Sequence, residues 1–237
     1  MSFVEHIIEP RRLLLGWQAP EGNLRTRYIV AELIREKAEN ETLLRYLSES
    51  SDFQDARKLG FCGHPAFVKM DSEYSQGVVD AFMRRLPPRS RADFPRYLAL
   101  LRIPSGAVIS NFALLGYSGA NLPSDGFSII HPFDEVAEQP CEFLMEIAGF
   151  RYTGISFDEI ELGVPVEFEQ EPENKFDPNA IKIVFDRKKI GYVNRGQLNA
   201  FHRWLKNGRV SAVLERKNGT PGRLLIYLFV RVTAVST

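Results

Sequence analysis

The sequence predicts an α+β lobe followed by a small, mainly β barrel of about six strands with one or two helices. Residues 1–133 mix β-like runs with helical stripes, whereas residues from 141 onward consist mostly of short β-like runs. The stretch 132–140 is acidic and bounded by prolines, which is typical of a linker. We therefore expect one domain at 1–133, a linker at 134–140 and a second domain at 141–237.

The composition is that of a soluble globular protein. Of the 237 residues, 44% are hydrophobic and 25% are charged. No apolar run approaches the roughly 18 residues that cross a membrane, and the first residues lack the features of a signal peptide. The two cysteines, Cys62 and Cys141, suit a reducing compartment. We expect a cytoplasmic protein that does not contact a membrane.

The N-terminal part is predicted to begin with strands and to continue with helices. The β-like runs are 13–18 and 28–33, while 43–47 fits either a strand or a helix. A turn-rich loop at 60–65 precedes three predicted helices, at 78–86, 97–101 and 108–115. We expect Pro87 to end the first helix and Gly116 to close the third. A strand at 127–130 follows.

The C-terminal part is predicted to be a β meander with one helix. The predicted strands are 143–147, 164–170, 180–186, 189–193, 210–214 and 224–235. Residues 198–205 repeat apolar side chains at helical spacing and end at Asn207-Gly208. Asn218-Gly219 is predicted to be a second turn. Six strands and one helix in so short a stretch indicate a barrel or a curled sheet.

The formal net charge is zero, but the charges are unevenly distributed along the chain. Residues 142–185 carry ten acidic and three basic residues, and residues 186–237 carry two acidic and eleven basic residues. A barrel built from both stretches would be polarised if the fold kept these charges apart. The alternative is a mixed, solvated surface.

Three motifs of the C-terminal part occur in a specific order: AGFRYTG at 148–154, EPENKFDPNAIKIV at 171–184 and KIGYVNRGQL at 189–198. Together they resemble the HIRAN domain, over roughly residues 141–235. That domain occurs in fork-remodelling helicases and in bacterial modules. The resemblance implies a small β-barrel that binds single-stranded DNA and recognises its free 3′ end.

The resemblance also implies which side chains form the DNA-end site. They are Arg151, Tyr152, Phe176, Asp177, Tyr192 and Arg195. The two arginines would neutralise phosphates, and Tyr152, with Phe176 or Tyr192, would stack on bases. Asp177 would accept a hydrogen bond from the 3′ hydroxyl, a donor that an internal phosphodiester lacks. Where the helicases carry a second aromatic residue, this sequence either has Thr153 or lacks one residue, so weaker binding is expected.

Structural interpretations of the same residues stay open. Asp177 precedes Pro178 in a stretch rich in turn residues, so it also fits a turn-capping role. Phe176 and Tyr192 also fit core positions. The DNA-end interpretation requires an exposed Tyr152 and an Asp177 that faces the arginines.

The N-terminal part shows a fainter resemblance, carried by GVVDAFMRRLPP at 77–88 and NFALLGYSG at 111–119. These segments resemble the N-terminal subdomain of HipA-type toxin kinases. The resemblance implies a lobe that docks on a protein partner, a kinase or toxin, whereas the chain itself lacks kinase motifs. A protein-interaction adaptor or antitoxin-like regulator is therefore the alternative function.

Catalytic and metal sites are weakly indicated. Cys62 and His64 are too close in sequence to align easily as nucleophile and base, and the histidines and cysteines are too scattered for a zinc site. Glutamates at every second position from Glu167 to Glu173 fit a solvated strand face, or a two-metal nuclease that lacks a lysine or histidine on the neighbouring strand. We predict a non-catalytic DNA-binding protein without a cofactor or metal, and a nuclease as the weakest alternative.

Overall fold

The computed structural model describes residues 2–19, 26–36, 41–122, 124–134, 138–220 and 223–234. They form two compact units, neither of which is continuous in sequence. Unit 1 consists of Met1–Ile7, Leu101–Pro104 and Val136–Thr237, and unit 2 consists of Ile8–Leu100 and Ser105–Glu135. Within the predicted linker at 134–140, residues 135–137 lie outside the described residues.

Unit 2 is an α+β unit around a four-stranded antiparallel sheet of order β3-β2-β1-β4. Its strands are β1 (Arg12–Gln18), β2 (Arg27–Arg35), β3 (Thr42–Tyr46) and β4 (Phe127–Ile130). Its helices are α1 (Ser51–Lys58), α2 (Val78–Met83), α3 (Phe94–Leu100) and α4 (Asn111–Ser118).

The loop at 60–65 contributes a large part of the core of unit 2. Phe61 is buried, and its ring centroid lies 5.3 Å from that of Trp17 and 5.7 Å from that of Phe53. The ring of His64 is also buried, 4.8 Å from that of Phe127. Because aromatic rings supply much buried apolar surface, this turn-rich loop is a structural element and not a free connection.

Most predicted elements of unit 2 are present, although helices α3 and α4 begin at Phe94 and Asn111 and not at 97 and 108 as predicted. Of the segment 43–47, which fitted either a strand or a helix, residues 43–46 lie in strand β3, which alternates burial as a half-buried strand does. Helix α1 was not predicted, although Ser50 caps it by accepting a hydrogen bond from the Phe53 amide at 3.1 Å. Helix α2 ends at Met83, three residues earlier than predicted.

Gly116 does not close helix α4, contrary to the prediction. The helix continues to Ser118 and is closed by Gly119, whose φ is 74°. A Cβ atom on Gly116 would lie 2.8 Å from the side chain of Leu13. Gly116 is therefore a point of close packing inside the helix, a role that a local sequence pattern does not distinguish from a stop signal.

Unit 1 is a six-stranded antiparallel sheet of order β5-β10-β9-β6-β7-β8. The strands are β5 (Cys141–Glu146), β6 (Pro165–Gln170), β7 (Ile181–Phe185), β8 (Lys188–Tyr192), β9 (Val210–Thr220) and β10 (Arg223–Val232). Helix α5 (Leu198–Lys206) and single 3₁₀ turns at Phe150–Tyr152, Phe157–Glu159 and Arg195–Gln197 complete it. The predicted fold class, an α+β region followed by a barrel-like sheet of six strands, is confirmed.

The sheet curls until its two end strands meet. Just beyond β5, the amide of Ala148 donates to the carbonyl of Tyr192 at 2.9 Å, and the amide of Tyr192 donates back at 2.8 Å. Gly191 makes this approach possible, since a Cβ atom there would lie 2.5 Å from the carbonyl oxygen of Ala148 and against Ile147. Its φ of 141° also favours glycine.

Helix α5 fills the interior of the curled sheet. Phe201 and Trp204 are fully buried, with ring centroids 5.2 Å apart. Phe201 also packs against Phe168 of β6 at 5.1 Å, and Trp204 lies 6.1 Å from Phe143 of β5. The apolar spacing that predicted this helix is the stripe that faces the core.

Asn218-Gly219 is not a turn, contrary to the prediction. Strand β9 continues through both residues to Thr220, and Gly219 pairs with Leu224 of β10. Residues 221–222, between the two strands, and Val235, the predicted end of the last strand, lie outside the described residues.

The N-terminal strap, residues 2–7, belongs to unit 1. The carboxylate of Glu142 on β5 accepts the backbone amides of Glu5 and His6, both at 2.9 Å, and lies 3.1 Å from the ring nitrogen Nδ1 of His6. Val4 is buried, and its amide donates to the carbonyl of Arg102 at 2.7 Å. Among the described residues, every helix is too short or too polar to span a membrane.

Candidate functional site

The six residues of the predicted site lie in three segments around the point where the sheet closes. Arg151 and Tyr152 occupy the 3₁₀ turn after β5 and not the strand itself. Phe176 and Asp177 occupy the connection between β6 and β7, which we call the Asn174 turn, residues 171–180. Tyr192 is the last residue of β8, and Arg195 begins the next 3₁₀ turn. Tyr192 pairs with Ala148, just before the first 3₁₀ turn, and bonds to Asn174 of the Asn174 turn.

The 3₁₀ turn presents an exposed ring. The side chain of Tyr152 is 63% exposed, and the guanidinium carbon of Arg151 lies 4.6 Å from the centre of its ring. The hydroxyl of Thr153 donates to the carbonyl of Phe150 at 2.7 Å. Thr153 therefore closes the turn, while Arg151 and Tyr152 form a cation–π pair at the surface.

The Asn174 turn is organised by the side-chain amide of Asn174. Its oxygen accepts the backbone amides of Phe176 at 2.9 Å and Asp177 at 3.1 Å. Its nitrogen donates to the carboxylate of Glu171 and, at 3.1 Å, to the hydroxyl of Tyr192. Both donors and both lone pairs of the amide are used, so Asn174 holds the backbone of the two predicted DNA contacts in one geometry.

The hydroxyl of Tyr192 is the second centre of this network. It donates to the carboxylate of Glu171 at 2.8 Å and accepts from Asn174 and, at 2.8 Å, from the ammonium of Lys189. The bond from Asn174, followed by that from Tyr192, lowers the pKa of Glu171. The bond to Tyr192 raises the pKa of Lys189. Each charge is held in its ionised form, and the Tyr192 hydroxyl has no proton or lone pair left for a ligand.

Asp177 joins the Asn174 turn to the segment after β8. One carboxylate oxygen accepts the amide of Asn179 at 2.9 Å, and the other accepts Nε of Arg195 at 3.1 Å. The turn-capping interpretation of Asp177 is therefore confirmed. Each oxygen keeps a second lone pair, so the carboxylate can still accept a hydrogen bond from a ligand.

The core interpretation of Phe176 is wrong. Its side chain is 79% exposed, because the turn that Asn174 imposes directs it away from the sheet. Tyr192 is half-buried: the ammonium of Lys189 lies 4.9 Å from its ring centre, and its ring lies beside Gly149. Its predicted role as a stacking ring stays a prediction.

The fold brings the acidic and basic stretches together instead of separating them. Lys188 pairs with Glu159 at 2.7 Å, and Arg195 pairs with Asp177 at 3.1 Å. In each pair, a cation of residues 186–237 faces a carboxylate of residues 142–185. This face is therefore a mixed surface, the second of the two interpretations of the charge pattern.

The structure places a lysine on the strand next to the glutamates of β6, as a nuclease would need, but it shows no group of metal ligands there among the described residues. Lys182 lies opposite Glu169 in the β6–β7 register, within a groove of about 470 Å³, and is neutralised there by its ion pair. Among the described residues, potential metal ligands converge within 4.8 Å only at Glu5, His6 and Glu142. That group is the clamp of the N-terminal strap, where the carboxylate already accepts two backbone amides.

Cys62 and His64 do not form a nucleophile–base pair in the described geometry. Cys62 is exposed, whereas His64 is buried, and burial lowers the pKa of His64 to about 4. Its Nδ1 accepts the amide of Ala66 at 3.2 Å, which fixes the ring within its own loop. His64 is a core side chain in unit 2.

Sequence reasoning missed Asn174, Glu171 and Lys189 as parts of the site. The first two lie inside the motif at 171–184, and Lys189 opens the motif at 189–198. An asparagine two or three residues before a Phe-Asp pair is a signal for an Asx turn, which predicts the bonds to the amides of Phe176 and Asp177. The bonds to Tyr192 depend on the closure of the sheet, which no local pattern contains.

The comparisons with known proteins bear on unit 1. Residues 141–233 match the family model of the HIRAN domain. The HIRAN domain of human HLTF is 18% identical, with a TM-score of 0.32 over 38% of this chain and 74% of that chain. A protein from Lactobacillus plantarum is also 18% identical, with a TM-score of 0.32 over 40% of this chain and 100% of that chain.

No curated protein matches the chain. The predicted resemblance of residues 141–235 to the HIRAN domain is confirmed. The resemblance of residues 1–133 to HipA-type kinases, and with it a kinase or toxin partner, stays a prediction.

Proposed function

We propose, from the HIRAN domain at residues 141–233, that this chain binds single-stranded DNA and holds its free 3′ end beside the Asn174 turn. The protein acts by binding and not by catalysis. The bases stack on Tyr152 and Phe176, the phosphates contact Arg151 and Arg195, and the 3′ hydroxyl donates to Asp177.

The exposure of two aromatic rings carries this proposal. Tyr152 and Phe176, 63% and 79% exposed, are the most exposed aromatic side chains among the described residues. An exposed ring leaves its apolar surface in contact with water, and a flat base that stacks on the ring covers this surface. Stacking is worth roughly 1–3 kcal/mol per base and tolerates any base, which fits a protein that binds strand ends.

The charges around the rings fit the same ligand. The described contacts of Arg151 are with the Tyr152 ring, and no ion pair with a carboxylate is among them. Its guanidinium is therefore available to a phosphate. Asp177 follows Phe176 directly and is bonded to Arg195. Its carboxylate repels a terminal phosphate and accepts a hydrogen bond from a hydroxyl. This combination favours a hydroxyl end over a phosphorylated one.

A binding assay on the full chain tests the proposal. Fluorescence anisotropy compares three single strands of equal length: one with a 3′ hydroxyl, one with a 3′ phosphate and one closed into a circle. We expect the strand with the 3′ hydroxyl to bind most tightly. Arg151→Ala and Tyr152→Ala should each weaken its binding by about 5- to 100-fold, as expected for loss of a phosphate contact or a stacked base.

Lys206→Ala is the matched control. Lys206 is an exposed cation at the far end of helix α5, roughly 12 Å along the helix from the segment that carries Arg195. The Lys206→Ala variant should bind each of the three strands with the same affinity as the unmodified chain. Equal affinity for the open strand and the circle would refute end recognition, and no binding of any strand would refute the function itself.

A further inference from the structure

The most concentrated positive charge in the sequence of unit 2 lies between helices α2 and α3. Residues 84–96 contain five arginines, one acidic residue and no lysine. Arg85 is buried in an ion pair with Asp125, so it belongs to the core. Arg89, Arg91 and Arg96 are exposed, and we call these three residues the arginine patch.

Two residues of the patch, Arg89 and Arg91, make short-range contacts with neighbouring groups. The guanidinium carbon of Arg89 lies 5.6 Å from the ring centre of Phe94, and the same group donates to the carbonyl of Ile109 at 2.7 Å. Arg91 forms two hydrogen bonds with the carboxylate of Asp93, at 2.9 and 2.7 Å. The Arg91 bond, together with the charge of Arg96, lowers the pKa of Asp93. The guanidinium of Arg91 is bonded to this carboxylate, and the charge of Arg96 acts on it as well.

This arrangement leaves an uncompensated charge at the surface. One carboxylate neutralises one of the three cations, and Arg89 is bonded to neutral oxygens. Holding two long side chains in fixed positions costs conformational entropy that solvated charges do not need to lose. The contacts of Arg89 and Arg91 offset part of this cost, so these side chains meet an anion with less loss of freedom than solvated ones would.

We infer that the arginine patch of unit 2 binds the phosphate backbone of duplex DNA, independently of the strand-end site of unit 1. Duplex DNA presents one negative charge per roughly 1.7 Å of its axis, which suits neighbouring cations on a surface. The use of arginine alone favours phosphate oxygens, since the planar guanidinium binds them in a bidentate manner. This inference goes beyond the proposed function, which concerns single strands.

An anionic membrane is the competing partner. Leu100 and Val108 are 53% and 95% exposed, and basic side chains beside exposed apolar ones also occur in proteins that bind membrane surfaces. Membrane surfaces attract lysine and arginine alike, so they do not explain the absence of lysine. Vesicles therefore form one arm of the test.

The experiment uses the full chain and a relaxed, covalently closed duplex minicircle. The minicircle has no strand end, so the strand-end site of unit 1 contributes nothing to its binding. The affinity is measured over a range of salt concentrations for the unmodified chain and for the double variant Arg91→Ala, Arg96→Ala. The control is Lys58→Ala, Lys69→Ala, which also removes two exposed cations of unit 2, one of them ion-paired with a carboxylate.

We expect the unmodified chain and the control to bind the minicircle with affinity that falls as salt rises. The arginine double variant should bind at least about tenfold more weakly, and its logarithmic salt slope should be smaller by about 2, one for each lost phosphate contact.

Three results would overturn the inference: no binding of the minicircle, unchanged binding by the arginine variant, or binding only to phosphatidylserine vesicles. The last result would assign the patch to a membrane surface. Loss of end recognition would appear only in the assay with single strands, whereas loss of duplex binding would appear only with the minicircle. The two proposals can therefore be refuted separately.

Discussion

At the scale of single residues, the site depends on polar side chains whose bonding capacity is fully used. Asn174 and the hydroxyl of Tyr192 have no donor or acceptor left for a ligand, whereas Asp177 keeps two lone pairs. The network therefore separates residues that hold the geometry from those that face outward. The motifs identified Asp177 as a ligand-binding residue. They did not show whether Tyr192 holds the geometry of the site or faces a ligand.

The proposed role of Asp177 predicts a change in end preference. Asp177→Asn keeps an oxygen that can accept the Asn179 amide but removes the negative charge that opposes a terminal phosphate. The ratio of affinities for 3′-hydroxyl over 3′-phosphate strands should fall by about tenfold, as expected for loss of one charged contact. Competition between the two strands measures this ratio. A ratio equal to that of the unmodified chain would exclude Asp177 as the group that recognises the end.

At the scale of elements, patterns in the sequence located most strands and helices but not the places where they meet. Alternating and helical spacing found the strands of unit 1 and helix α5, because each buries one face. The same spacing could not show that Gly116 is a packing contact or that Asn218-Gly219 continues a strand. Those properties depend on Leu13 and on the β9–β10 register, which involve distant residues.

The closure of the sheet at Gly191 predicts a large loss of stability on a small substitution. Gly191→Ala would place a methyl group against Ile147 and the carbonyl of Ala148. We expect the free energy of unfolding of unit 1 to fall by about 3 kcal/mol, since both the overlap and the positive φ are unfavourable. Denaturant unfolding followed by fluorescence measures the change.

Gly163→Ala is the control for backbone strain alone. Its φ is 83°, and a Cβ atom there would have no neighbour within 4 Å. The Gly163→Ala substitution should lower the free energy of unfolding of unit 1 by only about 1 kcal/mol. Equal losses for the two variants would mean that the contact at Gly191 does not close the sheet.

At the scale of the whole molecule, the two units should differ in their response to acid. Burial lowers the pKa of His131 to about 3 and that of His64 to about 4, and both residues lie in unit 2. The described histidines of unit 1, His6 and His202, are not buried. A buried neutral histidine binds a proton only on unfolding, so stability is retained above its ordinary pKa and is lost as the pH falls below it.

We therefore expect unit 2 to lose about 2 kcal/mol of stability per buried histidine between pH 7 and pH 5. Trp17 lies in unit 2 and Trp204 in unit 1, so Trp17 fluorescence in a Trp204→Phe variant reports on unit 2 alone. Adding His131→Asn, which cannot gain a proton, should reduce the slope of stability against pH by about half. An unchanged slope would show that His131 does not contribute to acid sensitivity.

The order of the strands in unit 1 has a consequence for synthesis on the ribosome. Strand β10 is the last of the strands to be made, yet it lies between β5 and β9 in the finished sheet. Until it leaves the exit tunnel, β5 and β9 each display a row of unpaired amides and carbonyls to other nascent chains. A chain that ends before residue 223 would therefore keep both strand edges unpaired, and such an incomplete chain would be prone to aggregate.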